Sequence, residues 1–359
     1  MTPGESSSSD LVVRELSDND THAWTAFAEA HPDANLYHTL EWRDAVREIF
    51  GHEPRYLVGE FDGVIRGVLP LFLIKFPLLG SKLISIPYDI GSGGALAVDD
   101  RAERALLESA VATARKINVD FLQLRYGSRR DVASSLGLQP SEPVLISEMQ
   151  LDSEEKVWSR VSKDHRKAVR KAKNRGVVIR EAKDLEDVGE FYRIYLKAFR
   201  EFGTPPYGSN YFPSIWRHFH GSGAMRLLLA HADDKCVGGL LLFCWGKNIV
   251  SKFAACLPEA VPMRAYAALY WRAIQIGLES GYKKLSWGTS SKSQGGLIEF
   301  KERWGADTRP AVIYSLSVKK DAPSIENYYD SGGLIRRVWS RLPIGATRLL
   351  GGTLNKWFC

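Results

Sequence analysis

The sequence predicts an α+β protein in which one structural unit, an antiparallel meander followed by a helix and a further strand, occurs twice. Three observations carry this reading. The chain of 359 residues is long enough for two domains of ordinary size. Its hydrophobic, charged and aromatic fractions, 45%, 25% and 11%, exclude collagen-like, disulfide-scaffold and wholly disordered classes. A strand, turn, strand pattern also recurs at a constant offset: Asp62, Gly67 and Phe72 in the first half are answered by Asp233, Gly238 and Phe243, each 171 positions later.

The elements follow in order. Met1 to Asp10 is Ser-rich and has neither the basic nor the apolar region of a signal peptide, so it reads as a disordered tail. Residues 11–150 form the expected first domain. Arg55 to Glu60 is a strand, Asp62-Gly63 a hairpin turn, and Val64 to Ile74 a second apolar strand. Lys82 to Pro87 is a third strand. Arg101 to Ile117 is a helix, with Leu106, Ala110, Thr113 and Ile117 at spacings of three and four, and Asp120 to Arg125 is a strand. Residues 151–320 form the expected second domain. It opens with a helix over Ser153 to Asn174, ended by Gly176. A strand (Val177 to Arg180), a helix (Leu185 to Glu201) and a Pro-containing loop (Gly203 to Gly208) come next. Met225 to Ala230, Cys236 to Trp245, Ile249 to Ala255, the helix Arg264 to Ser280 and Lys283 to Trp287 then repeat the first plan. Each half is thus an α+β unit, used twice.

Charge is clustered. The net charge is +6, yet Arg160 to Arg175 alone holds eight Lys/Arg against Asp164, and residues 331–359 hold five more with no acid. This placement points to a polyanionic partner or surface. The longest apolar runs are strand-length, far below the roughly 20 residues of a membrane-spanning helix, so a cytoplasmic location is expected. Four cysteines with no CxxC pair suggest neither a disulfide framework nor a zinc site. His38, His52, His218, His220 and His231 show no ligand spacing shared with carboxylates, so no metal is expected. No Ser lies in a G-x-S-x-G elbow.

Three segments resemble the FemAB group, the aminoacyl-tRNA-dependent transferases that build peptidoglycan interpeptide bridges within the GNAT acyltransferase superfamily. They are Leu36-Tyr37-His38-Thr39-Leu40-Glu41-Trp42, the basic Ser162 to Gly176, and Phe300-Lys301-Glu302-Arg303-Trp304-Gly305, which is similar to the FKxxWG motif. Phe50 to Pro54 and Gly203 to Pro206 are similar to FemAB-related proteins associated with exosortase and exopolysaccharide systems. The resemblance spans residues 35–318. It implies tandem GNAT-like domains and an acyl or aminoacyl transferase acting on an amine of a cell-envelope or exopolysaccharide precursor. It further implies no bound cofactor and, as co-substrate, an aminoacyl-tRNA or an acyl-carrier donor.

Acyl transfer passes through an oxyanion, which a fixed cation against a hydrophobic wall stabilises. Lys301 is the candidate cation and Phe300 the residue that positions the donor ester, against the reading of a surface lysine beside core aromatics. Asp89 is the candidate for orienting or deprotonating the acceptor amine. Asp99 competes with it, and a turn-capping role stands open for either. Trp42, Tyr88 and Trp304 are candidate substrate-binding residues, with core packing as the alternative for Trp42. Lys163, Arg166, Lys167 and Arg170 are candidates for contacting donor phosphate, tRNA included, against an ordinary solvated face. Leu257 to Arg264 lacks the Q/R-x-x-G-x-G/A turn that binds CoA pyrophosphate. Two further readings stay open: an N-acyltransferase with a carrier or CoA thioester donor, and a non-catalytic polyanion-binding protein. Residues 331–359 mix apolar and basic side chains, which fits either contact with an anionic membrane or packing on the protein's own surface.

Overall fold

The computed structural model describes residues 11–76, 80–89, 91, 93–321 and 339–356. These divide into two compact units, one of 11–43, 52–141 and 312–321, the other of 44–51, 142–311 and 339–356. The division is therefore not a single cut near residue 150.

The first unit contains β1 (Val12–Glu15), α1 (Thr21–Ala30) and the start of α2 (Leu40–Phe50). It continues through β2 (Glu53–Pro54), β3 (Leu57–Phe61), β4 (Val64–Leu69), β5 (Phe72–Phe76), β6 (Gly80–Ile84) and β7 (Leu96–Ala97). α3 (Asp100–Lys116), β8 (Phe121–Tyr126) and α4 (Asp131–Ser135) follow. β1, β3, β4 and β7 pair antiparallel in that order. β2, β5 and β6 pair antiparallel, and β6 pairs parallel with β8, so β6–α3–β8 is a crossover unit. α3 lays Leu106, Leu107, Ala110 and Ala114 against Leu57, Leu69, Leu122 and Leu124. Each fully buried leucine contributes about 1.5–3 kcal/mol.

The second unit contains most of β9 (Gln139–Gln150), then α5 (Glu154–Arg160), α6 (Lys163–Asn174), β10 (Val178–Glu181), α7 (Leu185–Glu201) and α8 (Tyr211–Phe219). β11 (Met225–Ala232), β12 (Lys235–Trp245) and β13 (Asn248–Cys256) make a meander, and α9 (Ala265–Glu279) crosses over to β14 (Lys284–Ser291), which pairs parallel with β13. α10 (Gly295–Arg303), the start of β15 (Asp307–Ser317) and α11 (Ile344–Leu354) complete it.

The duplication expected from sequence is a duplication of topology, and its offset extends into strand register. β1 pairs with β3 through Glu15–Leu57, Arg14–Val58 and Val12–Glu60; β10 pairs with β11 through Glu181–Leu228, Arg180–Leu229 and Val178–His231, again with each β11 residue 171 after its β3 counterpart. The repeated glycine marks close backbone approach in both units. A Cβ at Gly67 would sit 2.8 Å from Leu106, and one at Gly238 would sit 2.5 Å from Cys256 Sγ.

Two expectations are corrected. Val64 to Ile74 is not one strand: it breaks between β4 and β5 at Pro70, which has no N–H for a ladder bond. Ser153 to Asn174 is not one helix. Val161 is extended, and Ser162 starts α6 afresh, its Oγ accepting from His165 N at 3.3 Å.

Candidate active site

In the second unit, β14 ends at Ser291, whose N–H donates to Gln294 Oε1 at 3.0 Å, and α10 begins at Gly295. Lys301 lies in the last turn of α10 and folds back onto the end of β14, where it is only 5% exposed. Its Nζ donates to Gly288 O (3.2 Å), Thr289 O (3.1 Å) and Ser290 Oγ (2.7 Å). An ammonium has three donors, and here each has an acceptor. Burial pulls the Lys301 pKa down to about 8, while the three acceptors favour the charged form. Lys301 is thus a fixed internal cation rather than a surface lysine. Binding an oxyanion requires one acceptor to yield, and Ser290, a hydroxyl that rotates, is the one able to do so.

Phe300, half-buried, packs on Tyr270, Trp287 and His165 at ring-centroid separations of 5.7, 6.4 and 5.2 Å. Trp304 is corrected as a substrate-binding candidate. It is fully buried, stacked on Trp287 at 5.6 Å, and serves the core.

His165 went unnoticed in the sequence. Its ring lies 4.7 Å from Trp304, Ser162 Oγ stands 2.8 Å from its Nδ1, and burial lowers its pKa, so it is neutral at pH 7. The N–H of Ser162 donates to Arg303 O at 2.8 Å. These contacts fix the start of the basic helix α6 to the end of α10, bringing together Ser162 and Arg303, which are 141 positions apart in the chain. α6 buries Ala172, packs Ala168 and Val169 on the core, and exposes Lys163, Lys167 and Arg170, with Arg166 half-buried. No carboxylate lies within 4.0 Å of any cation from Lys163 to Arg175 among the described residues. Arg170 also rests over the Trp158 ring at 5.8 Å.

In the first unit, the loop after β6 holds a second polar cluster. Asp89 Oδ2 accepts from Tyr37 Oη at 2.5 Å and Oδ1 from Gly91 N at 2.8 Å, an Asx turn with a phenol clamp. The fully buried Arg125 donates to Ile86 O at 2.7 Å and to the Asp89 carbonyl, which fixes this loop from beneath. Tyr88 is held at φ +68°, a strained conformation for a bulky residue, with its hydroxyl 2.5 Å from His52 Nε2. The pairings of His52 and Arg125 had no sequence signal, because their partners are 36 and 39 positions away. Asp99 is resolved as the cap of α3, accepting from Ala102 N at 2.8 Å. Trp42 is corrected: it is 1% exposed and packs edge-on against Tyr37, so it belongs to the core.

Burial raises Cys236 and Cys244 to about 11 and Cys256 further, so none of the three is a thiolate nucleophile at neutral pH. In the C-terminal segment, residues 339–356 pack within their own unit. Arg200 Nε donates to Leu342 O at 2.6 Å, and Asn355 Nδ2 donates to Pro205 O and Pro206 O at 3.0 and 2.8 Å. Leu349 nevertheless remains 74% exposed and Leu350 46%. A cavity of about 560 Å³ beside α11 is lined by Ser209, Asn210, Arg348 and Lys356, with no carboxylate. Of the expected membrane contact over 331–359, residues 331–338 and 357–359 lie outside the described residues. No helix among the described residues is long and apolar enough to cross a membrane.

A family model described as acetyltransferase (GNAT) domain matches residues 159–302. No curated protein matches the chain. In fold the chain is similar to the crystal structure of FemX, at 16% identity, TM-score 0.72, 86% of this chain and 98% of that one. It is also similar to L-PGS from Bacillus licheniformis (12%, TM-score 0.57, 92% and 99%). A third similar structure is a tandem GNAT protein from the clavulanic acid biosynthesis pathway (13%, TM-score 0.54, 87% and 100%). The chain therefore has a tandem GNAT-like fold.

Proposed function

We propose that this protein transfers an acyl or aminoacyl group from a phosphate-bearing donor to an amine of a cell-envelope precursor. The observation that carries the reading is that Ser162 and His165 fasten an exposed cationic helix, with no carboxylate within 4.0 Å of its cations among the described residues, to the helix α10 that carries the buried Lys301. The helix supplies attraction for donor phosphates, and Lys301 supplies charge for the oxyanion. The acceptor nitrogen attacks the donor carbonyl carbon. The tetrahedral intermediate expels the donor oxygen, which leaves with a proton, and an amide remains. Asp89, clamped by Tyr37, is proposed to orient the acceptor amine.

Aminoacyl-tRNA is favoured over acyl-CoA because the turn before α9 has no glycine-rich pyrophosphate loop. It runs through Pro258–Ala260 to Arg264, a non-glycine residue at φ +66°. The exposed leucines of α11 beside Arg348 favour peripheral contact with an anionic membrane, near lipid-linked acceptors.

The test supplies radiolabelled aminoacyl-tRNA or acetyl-CoA together with nucleotide-linked or lipid-linked amine acceptors. Label moving from tRNA to acceptor, abolished by ribonuclease and reduced in Asp89→Asn, is the expected result. CoA release with acetyl-CoA and no use of charged tRNA would establish the thioester alternative instead.

A further inference from the structure

The tip of the β11–β12 hairpin brings together three side chains that the acyl-transfer reading does not use. Asp233 and Asp234 are both left-handed, at φ 48° and 58°, and form a two-residue turn. That turn sets His231 directly opposite Cys236 in strand register, with a bulge between Ala230 and His231. Cross-strand partners project to the same face, and α7, which packs against β12, brings Glu190 to them. One donor atom from each of Glu190, His231 and Cys236 lies within 4.8 Å of the other two. His231 Nδ1 is buried without a hydrogen-bond partner, and the Glu190 carboxylate has no cation within 4.0 Å among the described residues.

The first unit shows how the same place is filled when it is closed by protein alone. Glu60, the register counterpart of His231, is bound by Arg14, which also holds Asp20. In the second unit Arg180, the counterpart of Arg14, spends both terminal guanidinium nitrogens on Asp187 at 2.6 Å. That pair is neutral. It leaves the Glu190 carboxylate, and the Cys236 thiolate formed on metal binding, as two negative charges beside the His231 imidazole, a set whose charge a dication cancels.

We propose that Glu190, His231 and Cys236 form a binding site for a borderline-soft divalent metal ion, Zn²⁺ foremost, that pins the hairpin tip to α7. An N, S, O donor set selects Zn²⁺ over Mg²⁺ or Ca²⁺, which take oxygen ligands. Bond lengths of about 2.0–2.3 Å in a tetrahedral site place donors roughly 3.5 Å apart, so the three groups tighten around the ion and water takes the fourth position. The Cys236 thiol, which donates to Gly238 O at 3.6 Å, gives up that bond. Its proton passes to solvent as the metal–sulfur bond forms, one proton for each ion bound. Spacing along the chain hides the site, because Glu190 is 41 residues from His231 and the turn, not a motif, sets the His–Cys pair.

The experiment titrates Co²⁺ into the full chain after chelator treatment, in wild type and in Cys236→Ser, His231→Asn, Glu190→Gln and the control Cys359→Ser. The proposal expects one equivalent bound, with a near-ultraviolet thiolate-to-cobalt charge-transfer band and the visible bands of a tetrahedral site. Zn²⁺ should displace it, and Zn²⁺ should raise the thermal midpoint. Cys236→Ser loses the charge-transfer band. His231→Asn and Glu190→Gln bind at least about tenfold more weakly, and Cys359→Ser behaves as wild type. Glu190 is partly exposed, so Glu190→Gln keeps the test sound if Cys236→Ser fails to fold. Absence of the band in wild type, its persistence in Cys236→Ser, its loss in Cys359→Ser, or unchanged affinity in both His231→Asn and Glu190→Gln overturns the site.

Discussion

Replacing Lys301 by methionine keeps the apolar stem and deletes the buried charge, so it isolates the charge's effect on both stability and chemistry. The folded-state pKa is lowered to about 8 from the usual 10.5 by burial. Between those pH values the unfolded chain holds this proton and the folded chain has released it, so this group adds stability as pH rises from 8 to 10.5. Below pH 8 the cost of burying the ammonium is present in full. At 1.36 kcal/mol per unit, the shift amounts to about 3 kcal/mol. Because the acceptors at Gly288, Thr289 and Ser290 favour the ammonium, that figure is an upper bound. Lys301 is 5% exposed, so solvent screening removes little of it. Urea unfolding of wild type and Lys301→Met across this pH range reads the effect as a difference in which every other titrating group cancels. The expected result is a wild-type advantage that grows with pH by as much as about 3 kcal/mol. Profiles parallel to within about 0.5 kcal/mol would refute the claim that the lysine is buried and titrates low. In the transfer assay the same variant loses about 10²–10³ in kcat if the ammonium stabilises the oxyanion.

Two further outcomes are expected. Lys163→Gln, Lys167→Gln and Lys171→Gln together lower the slope of log affinity against log salt for a tRNA donor by about 2–3; an unchanged slope in filter-binding would show that the stripe touches no phosphate. Leu349→Gln with Leu350→Gln, both on exposed positions of α11, reduces co-sedimentation with anionic vesicles several-fold at unchanged thermal midpoint, whereas equal sedimentation, or none with either protein, removes the membrane contact.

The fold was legible in sequence because its signals are local and repeated. Turn residues, period-two strands and a close-packing glycine recur at one offset, and the duplicated topology follows. Departures came from single residues with strong backbone preferences: Pro70 cutting a strand, and Ser162 capping a new helix. The candidate site was legible only where a motif is contiguous. Lys301 and Phe300 were visible in Phe300 to Gly305, but Trp304 in the same motif is core, since periodicity does not tell which aromatic faces solvent. His52, His165, Arg125 and Ser290 act through partners distant in sequence, and no spacing rule reaches them. Asp89 and Asp99 looked equivalent as turn carboxylates and separate only by their hydrogen bonds, one capping α3 and the other held by Tyr37.

The duplication distinguishes scaffold from specialisation within one chain. What both units share is the meander, the parallel crossover strand, the close-packing glycine and a strand arginine that binds an aspartate at the start of the helix that follows, Arg14 to Asp20 just before α1 and Arg180 to Asp187 in the first turn of α7. Features retained in both copies are those the fold needs to close its core. Features found in one copy are free of that requirement. The strained Tyr88 with His52, and Asp89 with Tyr37, belong to the first unit; Lys301 on Ser290, the clustered cations of α6 and the Glu190–His231–Cys236 group belong to the second. A buried lysine at the cost of desolvation, a bulky residue at positive φ and a dense run of like charges each oppose stability. Among the described residues none of these groups has a counterpart in the sister unit, so the duplicated topology does not by itself require them.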